Sequence, residues 1–291
     1  MKDLKQITVI GLGLLGGSIT STILRTFSGV KTVGYSHRAA TRRKARQLAV
    51  ATAIVDDTKT SVSNADLVIL ATPICTFEKI FGQISGALPR GCIVTDVGST
   101  KLLPHRWAVK KLPGTVHYIG SHPIAGSEQR GIEFARDDLF DGAVCILTTT
   151  EKTNRRAVQT LKRFWTELGC SVKLMTPDEH DKVFAGISHV PHIVAAALIN
   201  ANSSETLKFA GKGFMDSSRI ASGPANIWAD VLLTNANNTV RGIDKIIAEL
   251  EKLKKVIKAG DAKQIEKLLE AARSKRAALI KYKIKGKELI S

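Results

Sequence analysis

The chain has 291 residues, with 43 Lys and Arg against 26 Asp and Glu, giving a formal net charge of +17. That length exceeds what one compact core usually serves, so two domains are expected, and 44% hydrophobic residues supply ample core. No apolar run reaches the roughly 18 residues of a membrane helix and the first strand starts almost at once, so neither a membrane span nor a cleavable leader is expected and the chain reads as cytoplasmic.

Aromatics make up only 5% and no basic patch is interleaved with stacking residues. The charge is therefore read as a field that attracts small anions, with nucleic acid set aside as a partner. Cys75, Cys92, Cys145 and Cys170 are far apart and form no C-x-x-C pair, so buried, reduced thiols are expected.

Ile7 to Ile10 is a β-branched run that ends in Gly11-Leu-Gly13-Leu14-Leu15-Gly16-Gly17-Ser18, after which Ile19, Ile23 and Leu24 recur at helical spacing. Strand, glycine-rich turn and helix in that order form a dinucleotide-binding unit. Gly11 permits the tight turn, Gly13 lets the backbone approach a pyrophosphate, and Gly16 lets helix pack on strand. The helix start that Leu14 and Leu15 open supplies unpaired N–H groups for phosphate.

Lys31 to Tyr35 is a second strand, followed by Ser36-His37-Arg38. An NAD site commonly has an acidic residue about twenty positions past the last motif glycine, to hold the ribose hydroxyls. Ser36 stands there instead, with Arg38, Arg42 and Arg43 after it. A hydroxyl beside a guanidinium suits a 2′-phosphate, so NADP is expected, with NAD possible and Ser36, His37 and Arg38 as the contacts.

Ala65 to Ala71 is a third buried strand, broken by Thr72-Pro73 at the end that should face the cofactor. Gly91 to Asp96 is a fourth, running into Val-Gly98-Ser99-Thr100-Lys101, where Ser99 reads as the cap of a helix starting near Thr100. Tyr118 to Gly120 is then the strand that delivers His122, just before a Pro and a Gly, where an imidazole can act as a base. Asp137 to Phe140 reads as a helical turn, Ala143 to Thr149 as a strand and Val172 to Met175 as the last strand. Between them Asn154 to Leu168 is an amphipathic helix with Val158, Leu161, Phe164, Trp165 and Leu168 on its apolar face. Residues 1–174 are expected to form an α/β, doubly wound, mostly parallel Rossmann-type domain.

Residues 175–291 read as all-helical. Glu179 to Asn200 carries Ser188-His189-Val-Pro191-His192, with Pro191 a kink; no H-E-x-x-H pattern or third ligand accompanies His189 and His192, so no metal is expected. Phe214 to Ala221 reads as a turn or helix end, where Arg219 either grips a carboxylate or pairs with Asp216. Ile227 to Leu233, Ile243 to Ile257 and Ala262 to Ile280 are further helices. The apolar face of Ile246, Ile247, Leu250, Leu253 and Ile257 exceeds what a small lobe buries alone, so a homodimer through the helical domain is expected.

Taken together, the ordered motifs resemble the prephenate/arogenate dehydrogenase family of tyrosine biosynthesis. They are the glycine motif, Ala71-Thr-Pro73, Asp96 to Lys101, Gly120-Ser-His-Pro-Ile-Ala-Gly126, His180-Asp181, Ser188 to His192, Asp216 to Ala221 and Trp228. The resemblance implies oxidative decarboxylation of prephenate, or of arogenate, with hydride transfer to NADP. It makes His122 the catalytic histidine and Ser99 a serine that contacts histidine and substrate hydroxyl. Arg219 becomes the carboxylate anchor, Glu128 and His192 a pair at the pocket entrance with His189 also facing the site, and Trp228 an aromatic from the dimer-partner side. An acidic Glu128 would welcome the ammonium of arogenate unless it is spent on His192. With no segment expected before the first strand or after the last helix, the chain resembles a monofunctional form. Two other readings stay open: a two-domain dehydrogenase of the 3-hydroxyacid kind, and a non-catalytic NADP-sensing or nucleic-acid-binding protein.

Overall fold

A computed structural model describes residues 4–125 and 129–285. The chain divides into two compact units, Met1–Asn235 and Ala236–Ser291, a later break than the compositional change at 174 and 175. The first unit opens with β1 (Gln6–Ile10), α1 (Leu14–Thr26), β2 (Lys31–Tyr35), α2 (Ala39–Gln47), β3 (Ala53–Ile54), α3 (Thr58–Val62) and β4 (Leu67–Leu70). It continues with α4 (Phe77–Ile84), β5 (Ile93–Asp96), α5 (Leu102–Lys111) and β6 (His117–Tyr118). The six strands pair in parallel in the order β3-β2-β1-β4-β5-β6, so the direction of winding reverses between β1 and β4.

These strands are apolar on both faces because helices cover both. Ile7, Val9, Leu67 and Ile69 point into one core with Ile19 and Ile23 of α1; Ile10, Val68 and Leu70 point into another with Phe77 and Phe81 of α4. Each such side chain contributes about 1.5–3 kcal/mol by leaving water.

The strand expected at Tyr118 to Gly120 is in fact two. β6 ends at Tyr118, the Ile119 N–H still donates to the Val94 carbonyl at 3.0 Å, and from Gly120 the chain crosses into a second sheet. That sheet is β7 (Gly120–Pro123), β8 (Val144–Thr148) and β9 (Ser171–Met175), with β7 antiparallel to β8 and β8 parallel to β9. The crossing needs a glycine: a Cβ on Gly120 would stand 2.5 Å from Thr148 Oγ1 and 2.7 Å from Lys101 Cδ. Between β8 and β9 runs α6 (Arg155–Glu167), whose N-terminus Asn154 caps by accepting from the Ala157 N–H at 2.9 Å. Its expected apolar face is buried, and Trp165 Nε1 donates to Ser121 Oγ at 3.0 Å, which in turn pairs with Thr95 Oγ1 at 2.7 Å. This hydroxyl chain ties β7 to β5.

The helices α7 (Pro177–Phe184), α8 (Val190–Asn200), α9 (Ser204–Leu207), α10 (Lys212–Ser218) and α11 (Ala225–Thr234) complete the unit. Thr176 and Glu179 form a reciprocal capping box at the start of α7, two residues ahead of the expected start. Pro191 has no N–H for the Ile187 carbonyl, and the helix answers with a π turn over Ala185–His189 in which the Val190 N–H reaches the Ala185 carbonyl. Within Pro177–Asn200 a window of 18 residues, with a mean hydropathy of 1.5, does meet the length and apolarity of a membrane helix, against the sequence expectation. The helix carries buried His180 and Asp181 and packs Phe184, Ala185, Val190 and Ala195 inside the unit, while Val183, Ile187, Val194 and Leu198 are exposed. Cys92, Cys145 and Cys170 are buried as expected, but Cys75 is exposed.

The second unit is a pair of long helices, α12 (Ala236–Lys258) and α13 (Ala262–Lys285), joined at Gly260. Ile246, Ile247, Leu250 and Ile257 are exposed, while Leu253 is half-buried.

Candidate active site

The carboxyl ends of β1, β2, β4 and β5 lie level, because Ile10 pairs with Tyr35 and Leu70, and Leu70 with Asp96. Gly11, Ser36, Ala71 and Val97 therefore follow along one edge, with Thr72 next after Ala71, at the point where the strand order reverses, which is where open α/β sheets bind ligands. Gly11 has φ +103°, and a Cβ there would stand 2.5 Å from the Ala71 carbonyl oxygen. Gly13 faces open space and caps α1 without a side chain, so the first N–H groups beside Leu14, Leu15 and Gly16 stay available. The first turn of α1 holds no acidic residue. A cradle of this kind fits the pyrophosphate of a dinucleotide.

At the ribose end, Ser36 is buried while His37 and Arg38 are exposed. Arg42 is committed elsewhere: its guanidinium donates to Asp56 Oδ1 at 2.6 Å and to the carbonyls of Ser36 at 2.6 Å and His37 at 3.2 Å. It shapes the loop that presents Arg38. At the end of β4, Thr72 donates to Thr76 Oγ1, which donates to the Pro73 carbonyl at 2.6 Å, so this turn is also fixed.

His122 stands on β7, and its Nδ1 lies 2.8 Å from His180 Nε2 on α7. His180 Nδ1 lies 2.8 Å from Asp181 Oδ1. The Asp181 carboxylate accepts the Lys101 N–H at 2.7 Å and the Leu102 N–H at 2.9 Å, so it caps α5. Ser99, expected as that cap, stands half-buried in the preceding loop instead, because the helix starts two residues later than its sequence suggested. Phe184 closes over both imidazoles, its ring centroid 4.8 Å from His122 and 4.4 Å from His180.

Beneath this lies a buried ion pair. Lys101 Nζ is 2.5 Å from Asp96 Oδ2 and donates to the carbonyls of Gly98 at 2.7 Å and Thr100 at 3.2 Å, while the Tyr118 hydroxyl donates to Asp96 Oδ1 at 2.8 Å. Burial first, then His180, Lys101 and His189, hold the His122 imidazole well below the usual histidine range. Burial and the Lys101 ammonium do the same to His180. Both rings are therefore neutral near pH 7.

On the other side, Asn235 Nδ2 donates to the Asp181 carbonyl at 2.7 Å and faces His189 Nδ1 at 3.2 Å. His189 and His192 are both buried, His189 against the Ser99 main chain and His192 against that of Ile220. His192 stacks on Trp228 of its own chain, ring centroids 3.6 Å apart and 12° from parallel. Arg219 is exposed and starts the turn Arg219–Ser222 that follows α10. A Cβ on Gly223, just past that turn, would meet both Trp228 and His192.

The chain is similar to known proteins over most of its length. "Prephenate dehydrogenase, nucleotide-binding domain" matches residues 20–174 and "Prephenate dehydrogenase, dimerization domain" matches residues 176–271. The chain belongs to the prephenate dehydrogenase family. It is 34% identical to the prephenate dehydrogenase of Bacillus subtilis, over 96% of this chain and 76% of that one. It is 30% identical to the cyclohexadienyl dehydrogenase of Zymomonas mobilis, over 96% and 97%. The crystal structure of A. aeolicus prephenate dehydrogenase in complex with hydroxyphenyl propionate and NAD+ superposes with a TM-score of 0.88 at 31% identity, covering 94% of this chain and 98% of that one.

As a prephenate dehydrogenase family member the chain is a dehydrogenase that uses a nicotinamide dinucleotide. Of the family residues read from the sequence, His189, His192 and Trp228 come together in one cluster, and Arg219 opens the turn beside it. Glu128 lies outside the described residues. His180, Asp181, Lys101 and Asn235 hold the centre together, a role that their sequence context does not show. They are spread over 135 positions, and adjacent His180 and Asp181 look like a helix surface until the fold turns them toward β7 and α5.

Proposed function

We propose that this chain catalyses the oxidative decarboxylation of prephenate or arogenate, with NADP as the hydride acceptor. The observation that carries the reading is a neutral His122, held through Nδ1, in a family member whose sheet edge carries an intact dinucleotide cradle. A nicotinamide dinucleotide bound there supplies the hydride acceptor. Gly11, Gly13 and the start of α1, with Leu14, Leu15 and Gly16, would hold its pyrophosphate. Thr72, Pro73 and Ser99 stand on the same sheet edge.

The substrate is a cyclohexadienol with a ring carboxylate opposite its hydroxyl. As hydride leaves the hydroxyl-bearing carbon, His122 takes the hydroxyl proton. The carboxylate departs as carbon dioxide, and its bonding electrons aromatise the ring. Arg219 supplies a charge-assisted grip on a carboxylate, and the net charge of +17 draws in a dianionic substrate.

Ser36 in place of an acidic residue, with Arg38 exposed beside it, supports NADP. The exposed face of Ile246, Ile247, Leu250 and Ile257, within the stretch matched by the dimerization domain, supports a homodimer. Initial rates with prephenate and arogenate, each against NAD and NADP, test the reading. Turnover fastest in an NADP pairing is expected, and silence in all four pairings would overturn it in favour of a sensing or binding protein.

A further inference from the structure

We infer that His180 and Asp181 are positioning residues which lock His122 in the tautomer that leaves Nε2 as its proton-accepting atom. The inference rests on the proposed function for its chemistry, but the geometry stands independently of the substrate.

The hydrogen-bond chain has a single consistent polarity. Asp181 accepts two main-chain N–H groups, from Lys101 and Leu102, so its carboxylate is an acceptor held in place at the N-terminus of α5. His180 Nδ1, 2.8 Å from Asp181 Oδ1, must then carry its proton, because a ring lone pair would repel the carboxylate. A neutral imidazole has one N–H, so His180 Nε2 is a lone pair. It accepts from His122 Nδ1–H at 2.8 Å, and neutral His122 is left with its lone pair on Nε2. The other assignment sets two lone pairs or two protons against each other at one end of the chain.

The same contacts fix orientation. His122 is carried by a strand, His180 and Asp181 by α7, and Asp181 grips α5, so three elements fix the direction of one ring. Phe184 limits tilt from the fourth side. The charged and titratable groups facing the pair are Lys101 from the loop before α5, His189 from the π turn, His105 from α5, and Asp181. The buried ammonium of Lys101 disfavours a proton on either ring, which keeps the chain in its neutral, base-ready form.

The test uses the full chain. In ¹⁵N spectra of the wild-type histidine rings, with His122 signals assigned by their loss in His122→Asn, Nδ1 of His122 is expected to be protonated and Nε2 unprotonated near pH 7. A protonated Nε2 would overturn the inference, whatever the substrate proves to be. In steady-state kinetics, His180→Phe keeps a ring beside Phe184 but ends the relay, and should lower kcat about 10- to 100-fold with KM within about twofold. His180→Gln keeps a donor and an acceptor and should recover most of that loss. Unchanged kcat in His180→Phe, or a Gln variant no better than Phe, would reduce His180 to a packing residue. Wild-type inactivity on every pairing would instead count against the proposed function, leaving the spectra to judge the relay.

Discussion

His122 and His180 meet nitrogen to nitrogen at 2.8 Å although 58 positions separate them, and neither ring is charged near pH 7. The contact joins a strand of the small sheet to the first helix after it. It also commits one nitrogen of each ring, so the chemistry of the site is set by protein contacts before any substrate arrives.

Neutral buried histidines make the protein sensitive to mild acid. His180 and His189 are fully buried, with folded values depressed below the usual histidine value of about 6.5, that of His189 to about 4. Below pH 6.5 the unfolded chain binds protons that the folded chain refuses, so stability falls as pH falls, by up to about 1.4 kcal/mol per pH unit for each ring. Thermal unfolding at pH 7.5 and 5.5, both above the carboxylate range, should show a midpoint lower by roughly 5–10 °C at the acid value. Equal midpoints would contradict the neutral assignment.

Lys101→Met removes one member of a pair that is completely shielded from water. Asp96 would keep the Tyr118 hydroxyl and the Gly98 N–H but lose its counter-charge. Stripping one partner from a buried pair costs about 3–5 kcal/mol. Denaturant unfolding should report a loss of that size, and a loss below about 1 kcal/mol would mean that Asp96 is not held as a buried carboxylate.

Ser36→Asp sets a negative charge where a 2′-phosphate is expected. A like-charge contact of this kind costs several kcal/mol, so the ratio of kcat/KM for NADP to that for NAD should drop by about 100-fold. An unchanged ratio would remove Ser36 from phosphate recognition.

Arg219→Ala should act on binding. Losing a hydrogen bond to a charged group costs about 1.5–3 kcal/mol, so KM for the cyclohexadienyl substrate should rise about 10- to 100-fold with kcat nearly kept. An unchanged KM, or a loss confined to kcat, would take the carboxylate away from Arg219.

The dinucleotide half was legible because its signals are local. β-Branched runs, glycines at fixed offsets and the Asn154 cap each act within a few residues, so β1, α1, β4 and α6 fall where the sequence puts them. β8 and β9 also fall where the sequence puts them, but their separation into a second sheet was not legible, since the departure of the chain at Gly120 depends on contacts with Thr148 and Lys101 that sequence spacing does not encode. The same holds for the cap of α5. Ser99 has the right residue type in nearly the right place, yet Asp181, 80 positions away, takes the Lys101 N–H. His122, His189, His192 and Trp228 could be named from motifs, whereas His180-Asp181, though itself a motif, and Asn235 give a support that is tertiary and that local sequence does not show.

The most direct test of the account is the pH–rate profile of kcat/KM for wild type and His122→Asn, on whichever substrate and cofactor pairing is fastest. Wild type should be level through neutral pH and fall only on an acid limb well below the usual histidine value of about 6.5, because burial keeps the base unprotonated past that point. His122→Asn should lose about two to four orders of magnitude and the limb with it. A variant that keeps near-normal turnover and the same limb would show that the proton goes elsewhere.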